Sequence, residues 1–489
     1  MSKQAKVTLL ILFLLAFRTL FGLSLNFFGG AEIDRDPLQT YLIGLKCYTT
    51  GTWPYFGPDK YTAEVHFQVP GALEGLVIGL PFYLLPIPEA PFLFLNLLSL
   101  SALILLAYYI VRRLPELSFP FVLTWIALLP WTLNRSTAIF NISFLLFGSA
   151  LFFVGFLEAL PKLSLKWISP SLAFAMMGFG LFWDMQFHSS WVLLGPFILG
   201  AFVLRRLKEK TPWTSEVLGF LVGSAIPLAC LIPTFIHYGF SSGSSMREMA
   251  VFFNRGNFLS FFTILAQYLS LACYEMPRFL GPHTVDRLAF LKTAPWLILL
   301  AGLLTLVGWI QPFALLIYGT FNTPKSLKTY LTYCSAALVY IWIGYFMAEK
   351  GLVLGLAVWI LPFLFLIYKA FKDSKHSQTN LFFGLVMLSL LWTWFCFWFT
   401  SSGPAAHMYY LFLPLIAVYY FYLWSRLANK PRWRLFGTAC LIASLLFQTG
   451  FMIEMLKKQS FLSDRGRIVT AIQAKDYRLL AERRSWAIY

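Results

Sequence analysis

The chain has 489 residues, of which 59% are hydrophobic and only 12% charged, with a formal net charge of +17. Soluble domains carry about a quarter charged residues, so this composition excludes an ordinary soluble enzyme and indicates an integral membrane protein. The positive charge does not imply a nucleic-acid partner, because Lys and Arg gather in short connections between apolar runs rather than on a basic soluble domain.

The N-terminal "MSKQAK" is followed by an apolar run over 7–28. That run is too long for a signal-peptide core and lacks an AxA-like cleavage site, so it reads as an anchor. A crossing needs about 20 mainly apolar residues. On that criterion thirteen spans are predicted, at 7–28, 91–111, 118–134, 139–158, 168–186, 189–204, 215–238, 294–319, 329–347, 351–369, 380–400, 408–425 and 433–455. With the N-terminus inside, every inner connection is basic: Arg112/Arg113, Lys162/Lys166, Arg205/Arg206/Lys208/Lys210, Lys325/Lys328, Lys369/Lys372/Lys375 and Arg426/Lys430/Arg432/Arg434.

The expectation is therefore an all-α polytopic domain over 1–455 in a bacterial inner (plasma) membrane, N-terminus cytoplasmic and C-terminus outside. Two further apolar stretches, 71–88 and 258–275, are expected to lie along the outer surface as interfacial helices. If 71–88 spanned, Arg112 and Arg113 would fall outside, and Glu74 and the prolines also oppose a crossing. Two long outer loops result, 29–90 and 239–293, with a short outer tail at 456–489. The six cysteines (47, 230, 273, 334, 396, 440) are scattered without CxxC or metal spacing, so neither a disulfide framework nor a zinc site is expected. No P-loop, GxGxxG or internal repeat is visible.

The densest acidic cluster, Glu32, Asp34 and Asp36, arrives just where the first apolar run ends, in "GAEIDRDPLQTY". Asp36-Pro37 has an ordinary structural meaning, an N-cap followed by a first-turn proline opening a helix over 37–49. The same carboxylate, held ionised by the helix dipole at a membrane surface, also suits a base that activates a hydroxyl. The two readings are compatible. Arg18 lies inside the first span, where a cation is costly, and reads either as functional or as the partner of a buried acid. Asp184, Gln186 and His188 lie where the fifth span meets the outer interface, lining a cavity or capping a helix end. The aromatics, 19% of the chain, read as membrane anchors.

The order of motifs resembles the C-type glycosyltransferase superfamily, in the branch of protein O-mannosyltransferases and bacterial aminoarabinose transferases. Asp36, an interfacial helix, "GTWPYFGP" at 51–58 and "VPGALEGLVIGLPFYLL" at 69–85 stand in the family's order after the first span. "LLPWTLNRSTAIFNISFLLFGSALFF" (128–153) is similar to the second outer turn, with Arg135 present and Asn141 where members carry an acid. "GLFWDMQFHSSWVLL" (180–194) and "SSGPAAHMYYLFLPLIA" (401–417) resemble the later polar breaks.

The resemblance implies sugar transfer, with inversion, from a polyprenyl-phosphate carrier to a hydroxyl of a lipid, glycan or protein at the outer face. It places Asp36 as the catalytic acid and Asp34 as the second acid, and marks Arg135 and Asn141 as cavity residues. A lipid-phosphate donor needs cations at this interface, so Arg247, Arg255, Arg278, His407 and Arg18 are the candidate phosphate contacts. No cofactor is assured. A divalent metal is possible, but Asn141 in place of an acid weakens its ligand set. A polysaccharide or lipid transporter, or a noncatalytic homologue, are the alternatives.

Overall fold

The computed structural model describes residues 2–25, 35–62, 65–209, 214–239, 254–258, 260–269, 280, 284–320, 378–401, 403–428, 431–457 and 460–481. The predicted spans 329–347 and 351–369 lie outside the described residues.

Helix α1 (Lys3–Leu25) is followed by α2 (Arg35–Thr50), a hairpin of β1 (Phe56–Thr62) and β2 (Val65–Pro70), and α3 (Leu73–Leu84). Then come α4 (Ala90–Arg113), α5 (Phe119–Leu128), α6 (Pro130–Ser136), α7 (Leu145–Ala159), α8 (Pro170–Met185), α9 (Gly195–Glu209) and α10 (Thr214–Tyr238). The later helices are α11 (Phe261–Leu269), α12 (Pro295–Thr320), α13 (Gln378–Phe397), α14 (Leu413–Ala428), α15 (Pro431–Lys457) and α16 (Ser460–Gln473). Among the described residues seven helical stretches are long and apolar enough to cross a membrane: Gln4–Leu25, Ala90–Arg113, Asn141–Ala159, Ser189–Arg206, Thr214–Tyr238, His407–Arg426 and Pro431–Lys457. Large apolar side chains such as Leu218, Leu221, Val222 and Ile226 on α10 stay exposed, as they would toward lipid.

Two expectations are corrected. The span predicted over 118–134 is two short helices, α5 and α6, broken at Leu129, whose φ of −57° and ψ of 133° are not helical. Pro130 is the cause: it has no N–H to donate to the Ile126 carbonyl, and its ring crowds that turn. The second correction is the hairpin, an antiparallel pair with an irregular register between Phe56 and Asp59, in a loop expected to hold only helices and turns. Helix α11 is nine residues long, with Ile264, Leu265 and Tyr268 buried. Over 71–88, α3 buries Leu73, Val77, Ile78 and Phe82 and exposes Leu80, Tyr83 and Leu84.

The break in α5–α6 explains Arg18. Its side chain is fully buried; Nη1 donates to the Ala127 carbonyl (2.9 Å), and Nη2 to Ser99 Oγ (2.9 Å) and Ser136 Oγ (2.6 Å). The first of these carbonyls is at the end of α5, and Nη2 also approaches the Ser136 carbonyl ending α6 (3.5 Å). Arg18 thus pairs with the ends of broken helices and, among the described residues, with no acid.

The helices have two distinct ends. At one, Arg113 and Glu158 form a buried pair (3.5 Å). Glu158 also accepts from Tyr109 Oη (2.8 Å), Ser164 Oγ (3.0 Å) and the Leu165 (3.0 Å) and Trp167 (3.3 Å) amides. Arg205 pairs with Glu216 (2.8 Å) across the α9–α10 connection. At the other end lie α2, the hairpin and α3, and the C-terminal segment returns to them. Arg465 Nε meets Glu89 Oε1 at 2.5 Å, and Ile468, Ala471, Ile472 and Tyr477 pack with Leu38, Tyr41, Leu42 and Leu45 of α2. The segment after α15 and the first long loop therefore share one face.

Two outcomes follow. Arg18→Met should cost about 1–3 kcal/mol for each acceptor left buried without a donor, read as a lower Tm in detergent. In a cysteine-free background, cysteines placed at Thr52 and Lys475 should react with an impermeant thiol reagent from the same side of sealed vesicles. A cysteine at Lys166 should react only from the opposite side. Labelling of Thr52 and Lys475 from opposite sides would refute the shared face.

Candidate functional site

The first loop builds a cavity of about 380 Å³ against α2. Helix α2 contributes Gln39, Ile43, Lys46 and Cys47, spaced three or four apart so that they share one side of the helix. The turn after α2 contributes Trp53 and Tyr55, the hairpin Phe56 and Gln68, α10 Tyr238, and the C-terminal segment Tyr477.

The aromatic wall is braced. Tyr55 stacks on His237 (ring centroids 5.1 Å), and Tyr238 meets Tyr55 (5.3 Å) and Phe56 (4.9 Å) edge-on. Thr234 Oγ1 donates to the Tyr55 carbonyl (2.8 Å), tying the loop to the end of α10. Lys46 Nζ lies over the Tyr477 ring at 5.8 Å. The Trp53 indole N–H is buried and has no hydrogen-bond partner among the described residues. Burial raises the Cys47 thiol above its usual range, which disfavours a thiolate nucleophile there.

Beneath the loop three 3₁₀ turns come together, Asn141–Phe144, Ser189–Leu194 and Ala406–Phe412, each running directly into a helix (α7, α9 and α14). Asn141 Nδ2 donates to the Phe187 carbonyl (3.3 Å), joining the first turn to the end of α8. His188 Nδ1 accepts the Ser190 amide (3.1 Å), which leaves the proton of a neutral ring on Nε2. The His188 and His407 rings stand perpendicular with centroids 5.9 Å apart.

Gln186 Nε2 donates to the Pro227 carbonyl of α10 (2.6 Å). The loop closes onto this residue at Gly71, whose φ is +136°, and a Cβ there would lie 2.5 Å from Gln186 Oε1. Only glycine tolerates both that backbone and that contact. Asp184 is fully buried against Gly148 of α7, and neither carboxylate oxygen has a hydrogen-bond partner among the described residues.

Of the residues expected from sequence, Asn141, Asp184, Gln186, His188 and His407 gather at the loop end of the helices. Arg135 is half-buried on α6, in electrostatic reach of Tyr410 in the third 3₁₀ turn. Asp36 is the second residue of α2, one place further into the helix than the expected N-cap, and shares the register of Gln39, Ile43 and Lys46. Arg255 opens the one-turn helix Arg255–Phe258. The side chains of Asp36 and Arg255, and Asp34, Arg247 and Arg278 altogether, lie outside the described residues. No group of three or more His, Cys, Asp or Glu placed to hold a metal ion occurs among the described residues.

Sequence reasoning missed Gln39, Lys46, Trp53, Gln68 and Tyr477. A signal existed for the first two, because Asp36, Gln39 and Lys46 recur at helical spacing on α2. Tyr477 had none, since only tertiary packing brings the C-terminal segment to the loop.

No protein-family model matches the chain, and no curated protein and no solved structure matches it at a significant level.

Proposed function

We propose that the protein is a membrane glycosyltransferase that moves a sugar from a polyprenyl-phosphate carrier to an acceptor hydroxyl at the outer face of the plasma membrane. The observation that carries this reading is the cavity of the first loop, built on the side of α2 that begins with Asp36. A carboxylate in the first turn of a helix is favoured in its ionised form by the macrodipole. At a membrane surface it stands where a hydroxyl from the aqueous side and a lipid-borne sugar can meet.

In the proposed reaction Asp36 takes the proton of the acceptor hydroxyl as its oxygen bonds to the anomeric carbon. The bond from that carbon to the phosphate oxygen breaks, and polyprenyl phosphate leaves with the electron pair. Asp34 orients or modulates the base. His407, with Arg247, Arg255 and Arg278 of the second long loop, supplies positive charge to the departing phosphate, where charge develops in the transition state. Gln186, which lies against Gly71, seats the loop over the helix ends. The order of motifs in the sequence supports the same reading.

One observation favours a transporter instead. Asp184 is a buried carboxylate in an apolar helix with no hydrogen-bond partner among the described residues, and acids within spans often mark ion or substrate pathways. A transporter would move a lipid-linked sugar across sealed proteoliposomes and would depend on Asp184 rather than Asp36.

The deciding variant is Asp36→Asn. Asn loses the charge favoured by the dipole, about 0.3–1 kcal/mol, so folding should be nearly preserved. It cannot take a proton, so transfer from a polyprenyl-phosphate sugar by purified protein should fall by about 10²–10⁴-fold. A stable Asp36→Asn protein with near-normal transfer would defeat the mechanism, and loss in Asp34→Asn alone would move the base to Asp34.

A further inference from the structure

From the wall of the loop cavity we infer that it binds a saccharide bearing a single carboxylate, a uronic acid residue. Three features converge. The cavity is lined by aromatic side chains, Trp53, Tyr55 and Tyr238 among them, a residue type that suits the apolar C–H faces of pyranose rings. Gln68 of β2 lines the cavity with a side-chain amide, which carries both donors and an acceptor for ring hydroxyls. The Trp53 indole N–H is buried without a partner among the described residues, an orphaned donor that a ligand oxygen would satisfy.

The charge pattern narrows the class. Among the described residues lining the cavity Lys46 is the one that carries charge, and it projects over Tyr477. A lysine is a compact point charge, whereas a phosphate of nearly two negative charges is best met by the bidentate fork of arginine. One lysine matches one carboxylate. Asp36 and Lys46 lie ten residues apart on α2, about 15 Å along the axis at about 1.5 Å per residue. The anionic end of the saccharide therefore sits at Lys46, away from the acid, and a hydroxyl is left toward Asp36. Binding of the uronate stands on the cavity alone; its role as acceptor rests on the transfer reading above.

The test is calorimetric titration of the purified full chain in nanodiscs, without any sugar donor, using cellobiouronic acid, cellobiose and cellobiose 6′-phosphate. Cellobiouronic acid should bind about tenfold or more tighter than cellobiose, the scale of one charge-assisted hydrogen bond. Lys46→Met should abolish that difference and leave cellobiose binding unchanged. Trp53→Phe keeps an aromatic face but removes the N–H, and should weaken both sugars about fivefold while Tm stays at the parent value.

Equal binding of the acid and neutral sugars, absence of binding by both, or a preference that survives Lys46→Met would each overturn the proposal. Tighter binding of the 6′-phosphate than of the uronate would overturn the carboxylate assignment. Octyl glucuronide in the nanodisc, compared with free methyl glucuronide, assigns the source. A large advantage for the lipid form means a glycolipid headgroup; parity means a free or polymer-borne saccharide. The titrations contain no sugar donor and the transfer assay of Asp36→Asn contains no uronate, so failure of transfer chemistry and failure of uronate binding are read separately.

Discussion

The arrangement of this protein depends on satisfying backbone groups at places where its helices break inside an apolar medium. Arg18, in the middle of the first helix, carries most of that burden. Its two Nη atoms reach the carbonyl that ends α5 and the hydroxyl and carbonyl that end α6, and Ser99 of α4 completes the set. Without such donors a proline break at membrane depth would leave carbonyls facing hydrocarbon, each at a cost of several kcal/mol. The broken pair α5 and α6 can therefore change direction at Leu129, and α6 leads toward the 3₁₀ turn that begins with Asn141.

The same constraint recurs at smaller scale. Three 3₁₀ turns end on the loop face, and each has a side chain to tie it: Asn141 to the Phe187 carbonyl, His188 to the Ser190 amide, and the third turn through its neighbour His188. Tightly wound turns at the mouths of helices point side chains outward at the face where α2, the hairpin and α3 are laid down. The opposite end is closed differently. There Glu158 accepts from Tyr109, Ser164 and two backbone amides around its pair with Arg113. One end is a locked seam and the other a platform, and the cavity occurs on the platform.

Close helix contact holds these ends in register. A Cβ on Gly223 of α10 would lie 1.9 Å from the Ala175 carbonyl of α8, and one on Gly178 of α8 would lie 2.3 Å from the Phe220 carbonyl of α10. Small residues let membrane helices approach closely where apolar burial gives no net drive between helices and lipid. That contact carries Gln186 to α10 and brings Tyr238 to the hairpin, so the cavity wall inherits its position from the α8–α10 packing.

By itself the sequence determined the membrane class, the long apolar helices and the acid-bearing start of α2. Those follow from hydropathy, from helical spacing and from the distribution of Lys and Arg, all of which are local. It also carried the polar residues near the helix mouths, because Asn141, Asp184, Gln186, His188 and His407 interrupt apolar runs. What the tertiary structure alone decided was their company. Pro130 was visible, yet the partner that makes its break tolerable, Arg18, is more than a hundred residues away. The hairpin formed where composition suggested a turn, because two short strands gain their pairing only when α2 and α10 hold the loop in place. Tyr477 reached the cavity from the far end of the chain because burying Ile468, Ala471 and Ile472 against α2 lowers the free energy of a segment that is amphipathic but has no local reason to be there. Local pattern fixes which groups a helix presents; only packing fixes which of them meet.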